Sequence, residues 1–147
     1  MSELKNLALG SVDEKSALFE SVANKIWDNP ELSLKEFGAA KLYCDTLRAE
    51  GFKVEENICG IKTAFSGKFG EGKPVIGILG EFDALSGLSQ TAGAEEYAPL
   101  VPGGSGHGCG HNLLGAGSLA AAVAVKKYLE LSGKPGTVIY FGCPGEE

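Results

Sequence analysis

Apolar positions recur at helical spacing through the first third of the chain. Leu18, Phe19, Val22, Ile26 and Trp27 fall on one face of a 3.6-residue repeat. Ahead of them, Ser11-Val12-Asp13-Glu14 has the form of a capping box, in which a serine and a glutamate three residues later each satisfy the other's free amide. Asn29-Pro30 ends this helix, because the residue before a proline is pushed out of the α region. Ser33-Leu34-Lys35-Glu36 is a second capping box, and Phe37, Ala40, Tyr43, Cys44 and Leu47 form the apolar face of the helix after it. Gly51 supplies a left-handed C-cap, with Phe52 packing back on the last turn. The span 11–52 is therefore expected to be a helical pair.

Beyond it the pattern changes. Residues 52–56 alternate weakly, residues 61–65 form a short β-rich run, and residues 67–73 have the composition of a hairpin turn. Val75-Ile76-Gly77-Ile78-Leu79 is continuously apolar, which predicts a central strand covered on both faces. Residues 86–106 are Gly-rich and aperiodic; a loop of about 20 residues in a compact domain usually serves function. Residues 113–131 have helical periodicity and many alanines, so this helix can approach a sheet closely, and Ser132-Gly133-Lys134-Pro135 ends it. Residues 137–141 form a second buried strand. Strand, loop, helix and strand make a βαβ unit with parallel pairing. The expected fold is α/β, with a mixed, partly parallel sheet flanked by helices.

The chain has 147 residues with an ordinary apolar content, which suits one domain with a hydrophobic core. Its net charge of −6, without a basic run, argues against nucleic acid and anionic membranes as partners. The longest apolar stretch, 113–125, is too short for a membrane span. The first five residues lack a basic and then apolar leader pattern, so a cytoplasmic protein with free thiols at Cys44, Cys59, Cys109 and Cys143 is expected. Cys44 falls at core spacing.

Candidate chemistry gathers where strands end. Gly106-His107-Gly108-Cys109-Gly110-His111-Asn112 holds both histidines of the chain and one cysteine. Imidazole and thiolate together suit zinc and other late first-row metals. Cys109 and His111, one residue apart, can reach one ion. His107 can bind metal, orient a ligand or face water. Glu81-Phe82-Asp83 follows the strand at 75–79, and Glu146-Glu147 follows the last strand. Sites in open α/β sheets gather outside the carboxyl ends of strands. At such an end, one glutamate of the pair can bind metal while the other meets a water; the alternative is a solvated acidic pair. Asp83 can bind metal, hold a ligand in place or cap a turn, and Glu81 shares its face on an extended segment.

Three motifs in order, residues 80–85 (GEFDAL), 107–112 (HGCGHN) and 142–147 (GCPGEE), resemble those of the M20 peptidase family, in the branch of hippurate hydrolase and auxin-conjugate hydrolases. Residues 28–32 (DNPEL) resemble the family's N-terminal signature. The resemblance implies a metal-dependent hydrolase of linear amides. It makes Cys109, His111 and Glu147 metal ligands, Glu146 the general base and Asp83 an organising acid among the catalytic residues. Glu81 stands where other branches place a histidine ligand, and because this branch uses Cys109 instead, it is left out of the ligand set. Asn112 stands where much of the branch has aspartate.

The resemblance further implies two divalent ions, zinc or manganese, in the complete enzyme. The substrate would be a small N-acyl amino acid or dipeptide-like amide, with p-aminobenzoyl-glutamate the first choice and a β-alanyl dipeptide the second. The family's greater length implies that residues 1–147 are the first part of a zinc-peptidase-like catalytic domain, inactive alone. The rest of that domain and a dimerisation domain would be absent, and the full-length protein would be a homodimer or hetero-oligomer. The rival from another class is a non-catalytic metal-binding module, whose ion His107 would close off as a fourth ligand.

Overall fold

The computed structural model describes residues 3–147. Helices α1 (Glu3–Glu14), α2 (Ser16–Asp28) and α3 (Phe37–Ala49) come first, followed by strands β1 (Lys53–Glu56), β2 (Phe65–Glu71) and β3 (Val75–Glu81), helix α4 (His111–Ser132) and strand β4 (Gly136–Cys143). The strands form one sheet in the order β1-β2-β4-β3. β1–β2 and β2–β4 are antiparallel and β3–β4 is parallel, so the expected mixed α/β architecture is present.

Three helices replace the expected pair. Ser11 does not start a helix: it lies inside α1, where its hydroxyl donates to the Ala8 carbonyl at 2.6 Å, a local bond that satisfies a helical serine without a cap. Nor is Ser33 a cap. The N-terminus of α3 is satisfied by Glu31, whose carboxylate accepts from the amides of Gly38 and Ala39 at 3.0 and 2.9 Å. At the other end of α3 the expected cap forms. Gly51 has φ +82°, its amide donates to Arg48 and the Phe52 amide donates to Leu47, the two bonds of a Schellman turn.

Three strand expectations are corrected. Residues 61–64 form a tight turn rather than a strand, with the Ala64 amide bonded to Ile61. Residues 67–71 belong to β2, and β2 does not form a hairpin with β3, because β4 returns between them. Among the described residues β3 lies at one edge of the sheet, with Val75, Ile76 and Leu79 respectively 58, 45 and 64% exposed, and β4 is one of the two inner strands, with Val138 and Tyr140 fully buried. A continuous apolar run is compatible with either place; long-range pairing assigned the centre to the later segment.

The core lies between the sheet and helices α3 and α4. Tyr43, Phe65, Phe82 and Tyr140 form an aromatic cluster with ring centroids 5.6–6.0 Å apart. Gly115 lets α4 come close: a Cβ there would collide with the Tyr43 hydroxyl and the Glu81 carbonyl. Gly67 in β2 is similar, since a Cβ would lie 2.9 Å from Leu47. Cys44 is buried as its spacing predicts, whereas Phe37 is 54% exposed and Trp27 is only half-buried, beside His107. Among the described residues no helix is long and apolar enough to cross a membrane.

Burial, followed by the negative charge of Glu56, pushes the Cys44 thiol up to about 12. The fold therefore favours the neutral thiol, whose stabilising contribution is complete below the ordinary thiol value of 9.0 and is lost as pH rises toward 12. The urea midpoint of the native protein should fall between roughly pH 9 and pH 11, and Cys44→Ala should show a smaller fall. Parallel pH profiles for the two proteins would refute this assignment.

Candidate metal centre

The parallel pairing of β3 and β4 places their carboxyl ends side by side, with Gly80 opposite Gly142 and Glu81 opposite Cys143. α4, the crossover between these strands, starts at this same end. Its first residue is His111, preceded by Gly110 in the left-handed conformation at φ +78°. Strand alternation beyond β3 buries Phe82 completely in the aromatic cluster and turns Glu81 and Asp83 toward the imidazole. The long loop is tied down where it returns: Leu85 and Gly106 exchange two backbone hydrogen bonds at 3.0 Å, and the Ala84 amide donates to Glu31 at 2.8 Å.

His111 is the centre of the cluster. Its Nδ1 lies 2.8 Å from Asp83 Oδ1 and 3.2 Å from the Asp83 carbonyl, both acceptors, so Nδ1 carries a proton. Its Nε2 faces carboxylate oxygens of Glu81, Glu146 and Glu147 at 3.2, 3.7 and 3.8 Å. With Nδ1 engaged by Asp83, Nε2 is the ring nitrogen left to face these carboxylates. Two ligand sets meet at that point: Cys109, His111 and Glu147, and Glu81, His111 and Glu146, with the ligand atoms of each set within 4.8 Å of one another. Thiolate, imidazole and carboxylate together fit a divalent transition metal. A carboxylate on the far nitrogen of a ligating histidine is a common support of such sites. Asp83 stands against Nδ1 of His111 in that manner, is 1% exposed, and its Oδ2 also accepts from the Glu147 amide at 3.0 Å. A hydrogen bond to Glu147, then burial and the charges of Glu147, Glu146 and Glu81, hold the Cys109 thiol above its ordinary range.

The five residues singled out in the sequence, Asp83, Cys109, His111, Glu146 and Glu147, are thus brought together. His107 is not among them. Its Nε2 lies 3.1 Å from the Ile26 carbonyl, its ring stacks on Trp27, and burial is the main cause of its lowered pKa. It is in neither group of residues whose ligand atoms lie close enough to share an ion. Glu81, left out of the expected ligand set, lies nearest His111 Nε2 of the three glutamates. The signal for it was present in the alternation that aligns it with Asp83. Asn112 is buried and reaches back to the Ala23 carbonyl at 3.4 Å, outside both candidate ligand sets.

No family model matches the chain. Comparison with curated proteins is informative. Over all 147 residues the chain is 47% identical to one of the subunits of p-aminobenzoyl-glutamate hydrolase from Escherichia coli, a match that covers 100% of this chain and 31% of that protein. The chain is thus related over its full length to that hydrolase subunit. It is also 36% identical to thermostable carboxypeptidase 2 of Saccharolobus solfataricus over 112 residues, 75% of this chain and 28% of that one. Among solved structures it resembles the YxeP protein of Bacillus subtilis, a dinuclear metal-binding peptidase of the M20 family. The TM-score is 0.71 at 24% identity, covering 88% of this chain and 35% of that one. The chain thus spans about a third of the length of the curated relatives it matches.

Asp83→Asn keeps the side-chain volume and one acceptor, but its amide nitrogen cannot accept from Glu147. Zinc or cobalt titration should show an affinity roughly 10–100-fold weaker. An unchanged affinity would remove Asp83 from the role of organising the site.

Proposed function

We propose that this chain carries part of the active site of a metal-dependent amidohydrolase, with Cys109, His111 and Glu147 as metal ligands and Glu146 as the general base. The observation that carries the reading is the convergence of three carboxylates on His111 Nε2, while Asp83 holds Nδ1. A divalent ion bound there supplies Lewis acidity toward an amide carbonyl and makes a water easier to deprotonate.

The chain's own residues supply the rest. Asp83 fixes the ring of His111, leaving Nε2 free to hold an ion that bound there, and its second oxygen fixes the backbone of Glu147. Glu146 is half-exposed, so its carboxylate can meet both solvent and substrate. Glu146 takes the proton of the attacking water and later returns it to the leaving amine, so the amide is cleaved to an acid and an amine with no net change in Glu146. The proposed substrate class is an N-acyl amino acid or dipeptide-like amide. The identity to the E. coli p-aminobenzoyl-glutamate hydrolase across the whole chain favours p-aminobenzoyl-glutamate, and that relative's designation as a subunit favours an oligomeric assembly. Two ions, zinc or manganese, in the complete enzyme are part of the same proposal. So is the assignment of residues 1–147 to the first part of a longer catalytic domain, because a third of a relative's length leaves most of a substrate pocket to other residues.

The test uses the natural protein at full length. Glu146→Gln should retain bound metal while hydrolysis of p-aminobenzoyl-glutamate falls by about 10²–10⁴-fold, the usual contribution of a general base. Cys109→Ala, His111→Ala and Glu147→Ala should each lose metal. Normal turnover by Glu146→Gln would overturn the assignment of the base. Full metal content in Cys109→Ala and His111→Ala together would overturn the site.

A further inference from the structure

Glu36 is fully buried at the start of α3, more than a hundred residues before the last motif. It is not needed to cap the helix, because Glu31 already accepts from the amides of Gly38 and Ala39. Its Oε1 accepts instead from two other amides, Leu34 at 2.8 Å and Gly145 at 2.9 Å, while Oε2 has no hydrogen-bond partner. Burying a carboxylate with so few partners is costly, and an apolar side chain would fill the same space more cheaply. What an apolar side chain would not do is hold the Gly145 amide.

Gly145 immediately precedes Glu146 and Glu147. The segment after β4 is therefore anchored on both sides of Glu146, by Glu36 at the Gly145 amide and by Asp83 at the Glu147 amide. Gly145 has φ +67°, and a Cβ there would lie 2.9 Å from Ser33 Oγ and 3.0 Å from Leu34, so the 33–36 segment packs directly on it. We propose that Glu36 is a positioning residue of the hydrolytic site: by holding the Gly145 amide from below, it fixes the direction of the Glu146 carboxylate. This rests on the reading of Glu146 as the base.

Two substitutions in the full-length protein separate this role from a structural one. Glu36→Gln keeps an oxygen that can accept from both amides. Glu36→Asp can still reach Leu34, two residues away, but is one methylene too short for Gly145. With manganese and p-aminobenzoyl-glutamate as probes, Glu36→Asp should lower kcat about 10-fold or more with KM within about threefold, whereas Glu36→Gln should stay within about threefold of the wild type in kcat. Amide hydrogen exchange at 145–147 should quicken in Glu36→Asp only. Gly145→Ala attacks the same contact without changing Glu36 and should reproduce the kcat loss.

A Glu36→Asp protein with a lowered urea midpoint but normal kcat would overturn the proposal. So would a Gln variant as impaired as the Asp variant, or normal kcat in Gly145→Ala. If the wild type hydrolyses no amide, the reading of Glu146 falls separately. The anchor then stands on exchange alone, supported by faster exchange in Glu36→Asp and overturned by unchanged exchange.

Discussion

The buried carboxylate of Asp83 holds the site together. A charge removed from water must be matched by donors, and Asp83 takes one from the α4 imidazole and one from the backbone after β4. The residue itself lies just beyond β3. One side chain therefore joins the two ends of the parallel pair to the start of the helix that connects them. The same bond decides which nitrogen of His111 is left to face Glu81, Glu146 and Glu147. Orientation of the histidine and placement of the glutamate pair are consequences of one desolvated acid.

The hydrophobic structure below makes that acid possible. Phe82 is fully buried against Tyr43 and Phe65, so its two neighbours point the other way. Gly115 allows α4 to approach the end of β3, which brings His111 within hydrogen-bonding distance of Asp83. The Tyr140 hydroxyl donates to the Gly115 carbonyl at 3.3 Å across the same contact. Core packing and site geometry are thus set by adjacent residues on the same two elements. A change of packing at Gly115 or Phe82 would be felt at His111 and Asp83.

The acidic surroundings also explain the chemistry of the centre. A hydrogen bond to Glu147, then burial and the charges of Glu147, Glu146 and Glu81, raise the thiol of Cys109, and the same carboxylates surround Nε2 of His111. The E. coli relative aligns with this chain from end to end. The distribution of anchors differs from the distribution of ligands. Glu31 and Glu36, on the connection between α2 and α3, hold the helix start and the Gly145 turn without touching His111.

The residue types of the site, the βαβ unit that brings them to one end of a sheet, and the C-cap at Gly51 were all legible in the sequence. These follow from local rules: strand alternation, the conformations open to glycine, and the affinity of thiol and imidazole for the same ions. Local rules misassigned Ser11 and Ser33 as caps, because a serine can bond to its own helix and a glutamate from seven residues upstream can satisfy a helix start. They placed β3 at the centre, because an apolar run does not reveal how many neighbours it will have. Long-range packing settled the remainder: β4 enters between β2 and β3, His107 turns to Ile26 instead of the ligand cluster, and Glu81 and Glu36 join the surroundings of the site. Each of those outcomes is a contact between residues far apart in the chain, and local periodicity carries no information about such partners.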